Sequence, residues 1–200
     1  MTKATEYISL VKETLDKLNH SEIDALIEAF YTTYQNGGNI YTMGNGGSGA
    51  SASHAAGDFI KGASYGLDKR FKMICLNDNL PSMMAIANDI GWDDIFVEPL
   101  KNYLQPNDLV IGISGSGNSN NVVKAMEYAK VKGVKTVAMS GFKGGRIAEI
   151  ADISVNAPVM DMEVTEDIHM VIFNIVKKEM MARLMGENPS MGGTYDSRVL

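Results

Sequence analysis

Five short apolar runs, each separated from the next by helical periodicity, constrain this chain more than any other feature. They are NIYTM (39–43), FKMICL (71–76), DLVIGIS (108–114), VKTVAMS (134–140) and ISVNA (153–157). Strands that alternate with helices pair in parallel through right-handed crossovers. The predicted fold is therefore α/β, a three-layer α/β/α sandwich around a five-stranded parallel sheet. Helices are expected at 49–61, within LPSMMAIAN and WDDIFVEPLKNYL, over NSNNVVKAMEYAKVKG, through Ile147 and Ile150, and at 162–184. Two more precede the first strand. One carries Tyr7, Ile8, Val11, Leu15 and Leu18; the other, with Ser21 as its expected N-cap, runs through Ile23, Leu26, Ile27 and Phe30 to Gly37-Gly38. This N-terminal hairpin (1–38) stands outside the alternating core (39–186), where it either packs against a partner or covers one face of the sheet. We expect a homo-oligomer. No linker or solenoid repeat divides the chain, so one domain over 1–186 is expected, with a glycine-rich, flexible tail at 187–200.

Composition narrows the partners. Two hundred residues suffice for one sizeable core, and a net charge of −6 argues against nucleic acid or an anionic membrane as ligand. It leaves room for a small anion, which backbone amides hold without basic side chains. The single cysteine, Cys75, lies inside an apolar run and reads as buried filler; with no internal disulfide to form, it points to a reducing compartment. No signal-peptide core or membrane-length apolar run is evident, and a cytoplasmic protein is expected. The 14 methionines, several of them in the last helix, read as core or interface filler.

Two strand-to-helix loops carry the chemistry. GNGGSGAS follows the first strand and SGSGNSN (114–120) follows the third. In parallel sheets, ligands bind beyond the carboxyl ends of the strands. Glycines let amides approach an anion, serine hydroxyls add donors, and each helix that follows aims its positive end at the same place. Ser48, Ser114, Ser116 and Ser119 are the expected phosphate ligands. A dinucleotide reading of Gly44-x-Gly46-x-x-Gly49 lacks its acidic residue at the expected distance, since Asp78 lies too far along. A Walker loop fails for want of Gly-Lys-Ser/Thr. No nucleotide cofactor is expected; one sugar phosphate accounts for both loops.

GNGGSGASASHAAGDFIKG, AIANDIGWDDIF, VIGISGSGNSNNVVKAMEYAKVKG, SGFKGGRIAEIADISVNAP and EDIHM occur in the order found in SIS (sugar isomerase) domain proteins. The chain resembles the phosphoheptose isomerases among them most, over all but the last dozen or so residues. The resemblance implies a flavodoxin-like five-stranded sheet, a homotetramer, and interconversion of sedoheptulose 7-phosphate with a manno-heptose 7-phosphate. It places Asn45, Gly46, Gly47 and Ser48 on the family's first substrate loop. Asn88 and Asp89 fall on its sugar-contacting pair, and Ser114, Gly115, Ser116 and Ser119 on its phosphate loop, with Gly115 in place of the usual Thr. His54 falls on a zinc-binding histidine. Asp58 stands where the family has a catalytic, metal-binding Glu, Glu166 where it has Gln, and Asn174 where it has a catalytic His.

An aldose–ketose isomerase moves a proton between adjacent carbons through an enediol, so it needs a base near C1 and C2. Asp58 is the expected base, with His54 and Glu166 as proton carriers or ligands. His54 and Asp58 share a helix face at i, i+4, as Glu166 and His169 do at i, i+3. If the two helices meet at the strand ends, His54, Asp58 and Glu166 would form a Zn2+ site with an open position. His169 reads instead as structural, and His20 as a plain surface residue. Asn174 cannot exchange a proton at neutral pH. A second reading is therefore carried forward: a non-catalytic sugar-phosphate-binding protein acting through a protein partner, like the replication-initiator-associating relatives. A ligand-sensing domain is a third reading, though no DNA-binding module accompanies it.

Overall fold

The structure, a computed structural model, describes residues 2–186; the expectation for the 187–200 tail lies outside them. Five parallel strands, β1 (Asn39–Gly44), β2 (Lys72–Cys75), β3 (Leu109–Ser114), β4 (Lys135–Ser140) and β5 (Ile153–Asn156), form one sheet in the order β2-β1-β3-β4-β5. The order turns back between β1 and β3, whose loops therefore leave side by side. The central strand β3 is buried along its whole length, and its residues divide by parity. Leu109, Ile111 and Ile113 enter one apolar cluster and Val110 the other.

The first face is covered by α2 (His20–Gln35), α3 (Gly46–Lys61) and α8 (Met162–Met185). At its centre Phe59 packs at 4.9 Å from Phe30 and edge-on at 5.1 Å from Phe71. The opposite face carries α5 (Val97–Tyr103), α6 (Asn120–Val131) and α7 (Gly145–Ile150). There α4 (Leu80–Asp89) contributes only half-buried side chains such as Met83 and Ile86. The N-terminal helices divide in role. Leu26 and Phe30 of α2 are fully buried, so α2 belongs to the core, while α1 (Lys3–Asp16) lays half-buried Leu10, Val11 and Leu15 on the edge of that core and is tied to α8 by the Tyr7 hydroxyl donating to Asp167 at 2.7 Å. That hydrogen bond to a carboxylate pushes the Tyr7 phenol up to about 12. The N-cap of α2 is Asn19 rather than Ser21: the Asn19 amide oxygen accepts from the Ser21 backbone N–H and hydroxyl, so the cap lies two residues earlier than the spacing suggested.

Cys75 is buried, and burial pushes its thiol up to about 11, which suits filler and not a nucleophile. His169 is structural, as expected. It is fully buried on α8, its Nε2 donates to the Ser140 carbonyl at the end of β4 (3.0 Å), and its Nδ1 has no partner. One donor and one bare lone pair describe a neutral imidazole, and burial pushes its pKa down to about 4. Between about pH 6.5 and 4 the unfolded chain binds this proton and the folded chain does not. The stability it confers is thus complete above pH 6.5 and is lost as pH falls toward 4. His169→Gln keeps a donor for Ser140 but cannot titrate. Unfolding free energies in urea should show a wild-type loss of about 3 kcal/mol across that window relative to the variant, and parallel pH curves would count against it.

Candidate active site

The glycine loops are built into helix ends. The first helix after β1 starts at Gly46 rather than Gly49, so Gly46, Gly47 and Ser48 form its opening turn. Its N-cap, Asn45, does not cap with its side chain, because that amide is engaged elsewhere. Asn45 and Asn121 exchange two amide hydrogen bonds, both at 2.9 Å, tying the loop after β1 to the first turn of α6. Ser119, the N-cap of α6, makes no side-chain cap either, though Asn121 Oδ1 takes the Val122 N–H at 2.9 Å and leaves the two amides before it free; neither helix has an acidic residue in its first turn. Two sets of free N–H groups and two positive helix ends therefore converge at the carboxyl edge of β1 and β3, an arrangement suited to a phosphate.

The serines stand at this edge as expected. Ser48 and Ser114 are buried, the Ser114 and Ser119 hydroxyls lie 3.1 Å apart, and Ser116 is exposed. The Ser116 hydroxyl accepts weakly from the Asn118 amide (3.3 Å). Gly117 adopts φ +71° against the Gly144 carbonyl, a place no side chain fits, which holds this loop against the one after β4. Gly115 also has a packing reason. A Cβ there would run into the Met162 sulfur at the start of α8, so Met162 fills the space that the usual Thr would need.

Glu166 belongs to the first loop. A Cβ on Gly47 would collide with its carboxylate. Burial raises the Glu166 pKa above the ordinary range, with Glu163 and Asp167 adding to the rise. Asn88 and Asp89 are exposed at the end of α4 and hydrogen-bonded to each other at 2.7 Å. Shortly beyond them, in the 3-10 turn Trp92–Asp94, Asp94 pairs with Lys124 of α6 at 2.7 Å, so this segment borders the phosphate-loop helix.

The expected metal trio does not gather within one chain. α3 and α8 run parallel, in register: Glu166 faces Gly47, and Lys177 contacts Asp58 at 2.8 Å. Both steps are eleven residues, which puts Asp58 about 16 Å from the level of Glu166. His54 is close to Asp58, with 3.7 Å between Nε2 and Oδ2, and it is largely exposed. Asn174 is exposed on α8, one turn before Lys177. Among the described residues, no three His, Cys, Asp or Glu side chains form a group able to hold a metal. The helices meet along their sides, so the condition that all three ligands lie at the strand ends is not met. Sequence reasoning also missed Lys177 and Asn121. The paired asparagines at two helix starts were a visible signal for Asn121; Lys177 becomes visible only once the α3–α8 register is known.

Gly115→Thr should lower stability by about 1–2 kcal/mol through overpacking against Met162. Adding Met162→Ala should restore most of the loss. A double-mutant cycle in urea tests this, and additive effects would remove the coupling between 115 and 162.

Comparison with known proteins agrees with the geometry. The SIS domain model matches residues 5–141. A phosphoheptose isomerase from Chlorobaculum tepidum is 34% identical over 182 residues, covering 90% of this chain and 87% of the relative. One from Aneurinibacillus thermoaerophilus is 36% identical over 171 residues, covering 83% and 84%. Among solved structures, the phosphoheptose isomerase of Neisseria gonorrhoeae superposes with a TM-score of 0.80 at 26% identity, covering 88% of this chain and 93% of that one. The phosphoheptose isomerase of Francisella tularensis shares the fold with a TM-score of 0.81 at 24% identity, covering 90% and 98%. With its paired glycine loops on a 2-1-3-4-5 sheet, the chain belongs to the SIS domain family.

Proposed function

We propose that this protein is a phosphosugar isomerase that interconverts sedoheptulose 7-phosphate and a manno-heptose 7-phosphate. The observation that carries the reading is the pair of uncapped helix starts joined by Asn45 and Asn121, found in a chain about one-third identical to phosphoheptose isomerases over most of its length. The phosphate is held by the amides and hydroxyls of Ser48, Ser114, Ser116 and Ser119. Asn88 and Asp89 contact the sugar. Asp58 takes the proton from C1 of the ketose to give the enediol, and return of the proton to C2 gives the aldose. His54, 3.7 Å from Asp58, carries protons between the two sugar oxygens. Asn174 contributes an amide donor to the carbonyl oxygen but no exchangeable proton. The donor set within one chain does not fit zinc, and no step is assigned to a metal.

The working unit is a homo-oligomer, a tetramer or at least a dimer. From C1 to phosphorus the substrate spans eight bonds, roughly 10 Å when extended. Asp58 lies about 16 Å along α3 from the phosphate-binding turn. A second copy that brings its own loops to the exposed His54 and Asn174 would close that gap. No described helix is long and apolar enough to cross a membrane, and the acidic surface and buried Cys75 support a cytoplasmic protein with no nucleic-acid partner. Asn174 favours one alternative: a sugar-phosphate-binding protein that acts through another protein.

The experiment is to follow the purified protein with sedoheptulose 7-phosphate by NMR. Aldose should form, and Asp58→Asn should abolish turnover while binding of the sugar phosphate changes little. Equal turnover in the variant would remove Asp58 from the role, and binding without turnover in the wild type would favour the alternative. Asp58→Asn co-expressed with an inactive Ser116 variant should regain a fraction of the activity in mixed oligomers. No recovery would place the whole site in one chain.

A further inference from the structure

Asp58 already has a cation. The Lys177 ammonium lies 2.8 Å from Oδ2 of Asp58, the same oxygen that His54 approaches at 3.7 Å. The pair is sheltered, with the Lys177 and Asp58 side chains 22% and 30% exposed. Its geometry depends on Gly62, one turn after Asp58: a Cβ there would lie 2.9 Å from Cε of Lys177, so the lysine stem crosses α3 where a side chain is missing. Lys177 is held from two sides, by the space over Gly62 and by the carboxylate.

A zinc ion at Asp58 would need a ligand oxygen at about 2.0–2.2 Å and three or four donors around it. By itself this chain offers it His54 and Asp58, its own Glu166 being about 16 Å away, so further donors would have to come from a second copy. It would also have to displace an ammonium from the carboxylate it was to bind. An ammonium already seated on Oδ2 opposes a divalent ion there by like-charge repulsion.

We propose that Lys177 is the resident cation of this site: it orients the Asp58 carboxylate and takes the place beside it that a divalent metal would otherwise occupy. Lys177 acts through Asp58 and is thus a positioning residue, and this role rests on the isomerase reading in which Asp58 is the base. The occupancy itself does not. Fixing Oδ2 between Lys177 and His54 settles which way the carboxylate plane faces. An aspartate, one methylene shorter than glutamate, has little reach with which to correct an error.

The test uses full-length wild-type protein, Lys177→Met and Lys177→Arg, with Zn2+ alone as one probe and sedoheptulose 7-phosphate as the other. By calorimetry the wild type should bind no zinc at Asp58: any uptake should be the same in Asp58→Asn. Lys177→Met should gain a zinc site that disappears in Lys177→Met/Asp58→Asn. In the turnover assay Lys177→Met should lose about tenfold to a hundredfold in kcat with little change in KM, and Lys177→Arg should recover most of it. Zinc uptake by the wild type that depends on Asp58 would overturn the proposal. So would an unchanged kcat in Lys177→Met. A wild type with no turnover would sink the isomerase reading alone, and the zinc measurements would still decide whether Lys177 holds the cation position.

Discussion

The contact between Glu166 and Gly47 sets the level of α8 against α3 on this face of the sheet. Because position 47 has no Cβ, the start of α8 can settle against the opening turn of α3. Two parallel helices of equal rise then stay level with each other. Eleven residues on, Lys177 meets Asp58, and Gly62 again supplies the missing Cβ. Had α8 slipped by one turn, Lys177 would miss the carboxylate and the glycines would face the wrong side chains. His169 resists such a slip from beneath, since its single hydrogen bond to Ser140 fixes α8 against the end of β4.

The anion site on the carboxyl edge is assembled without net charge. Each helix start contributes about half a positive charge, and two of them converge where β1 and β3 diverge. The Asn45–Asn121 pair holds the two starts together and takes out of use the one side chain that could have capped α3. A chain of net charge −6 can hold a phosphate in this way because the local field comes from amides rather than basic side chains. Glu166, beside this field, has its pKa raised by partial burial, and the charges of Glu163 and Asp167 add to the rise.

The fold was legible because its elements announce themselves through period and punctuation. The apolar run 108–114 was legible as a strand, and the alternation of strands with helices determined the parallel sheet. The serines and glycines of both loops were legible for the same reason, as each lies between a strand and a helix. What the sequence could not convey was the relation between two helices more than a hundred residues apart. His54 and Asp58 share a face, as anticipated, but Glu166 was grouped with them on the assumption that α3 and α8 meet at their ends. They meet along their lengths, which separates Glu166 from Asp58 and brings in Lys177, an unremarked residue in a helix rich in charge. The α2 cap was missed for a simpler reason: Asn19 and Ser21 both suit an N-cap, and only the local hydrogen bonds choose between them.

Two positions that the resemblance marks as unusual, Gly115 and Asp58, each meet a neighbour that suits them. At the first, loss of the usual Thr at 115 goes with Met162, whose sulfur fills its volume. At the second, the shorter carboxylate at 58 goes with a long lysine at 177 that reaches it and a glycine at 62 that makes room. A retreating carboxylate would otherwise be left half-buried beside one weakly placed histidine, and a buried charge without a partner is costly. Lysine relieves that cost directly, whereas the asparagine one turn earlier, being neutral, could not. Asp58 and Lys177 thus form one charged unit on the facing sides of α3 and α8, in which the half-buried carboxylate has a partner of opposite charge.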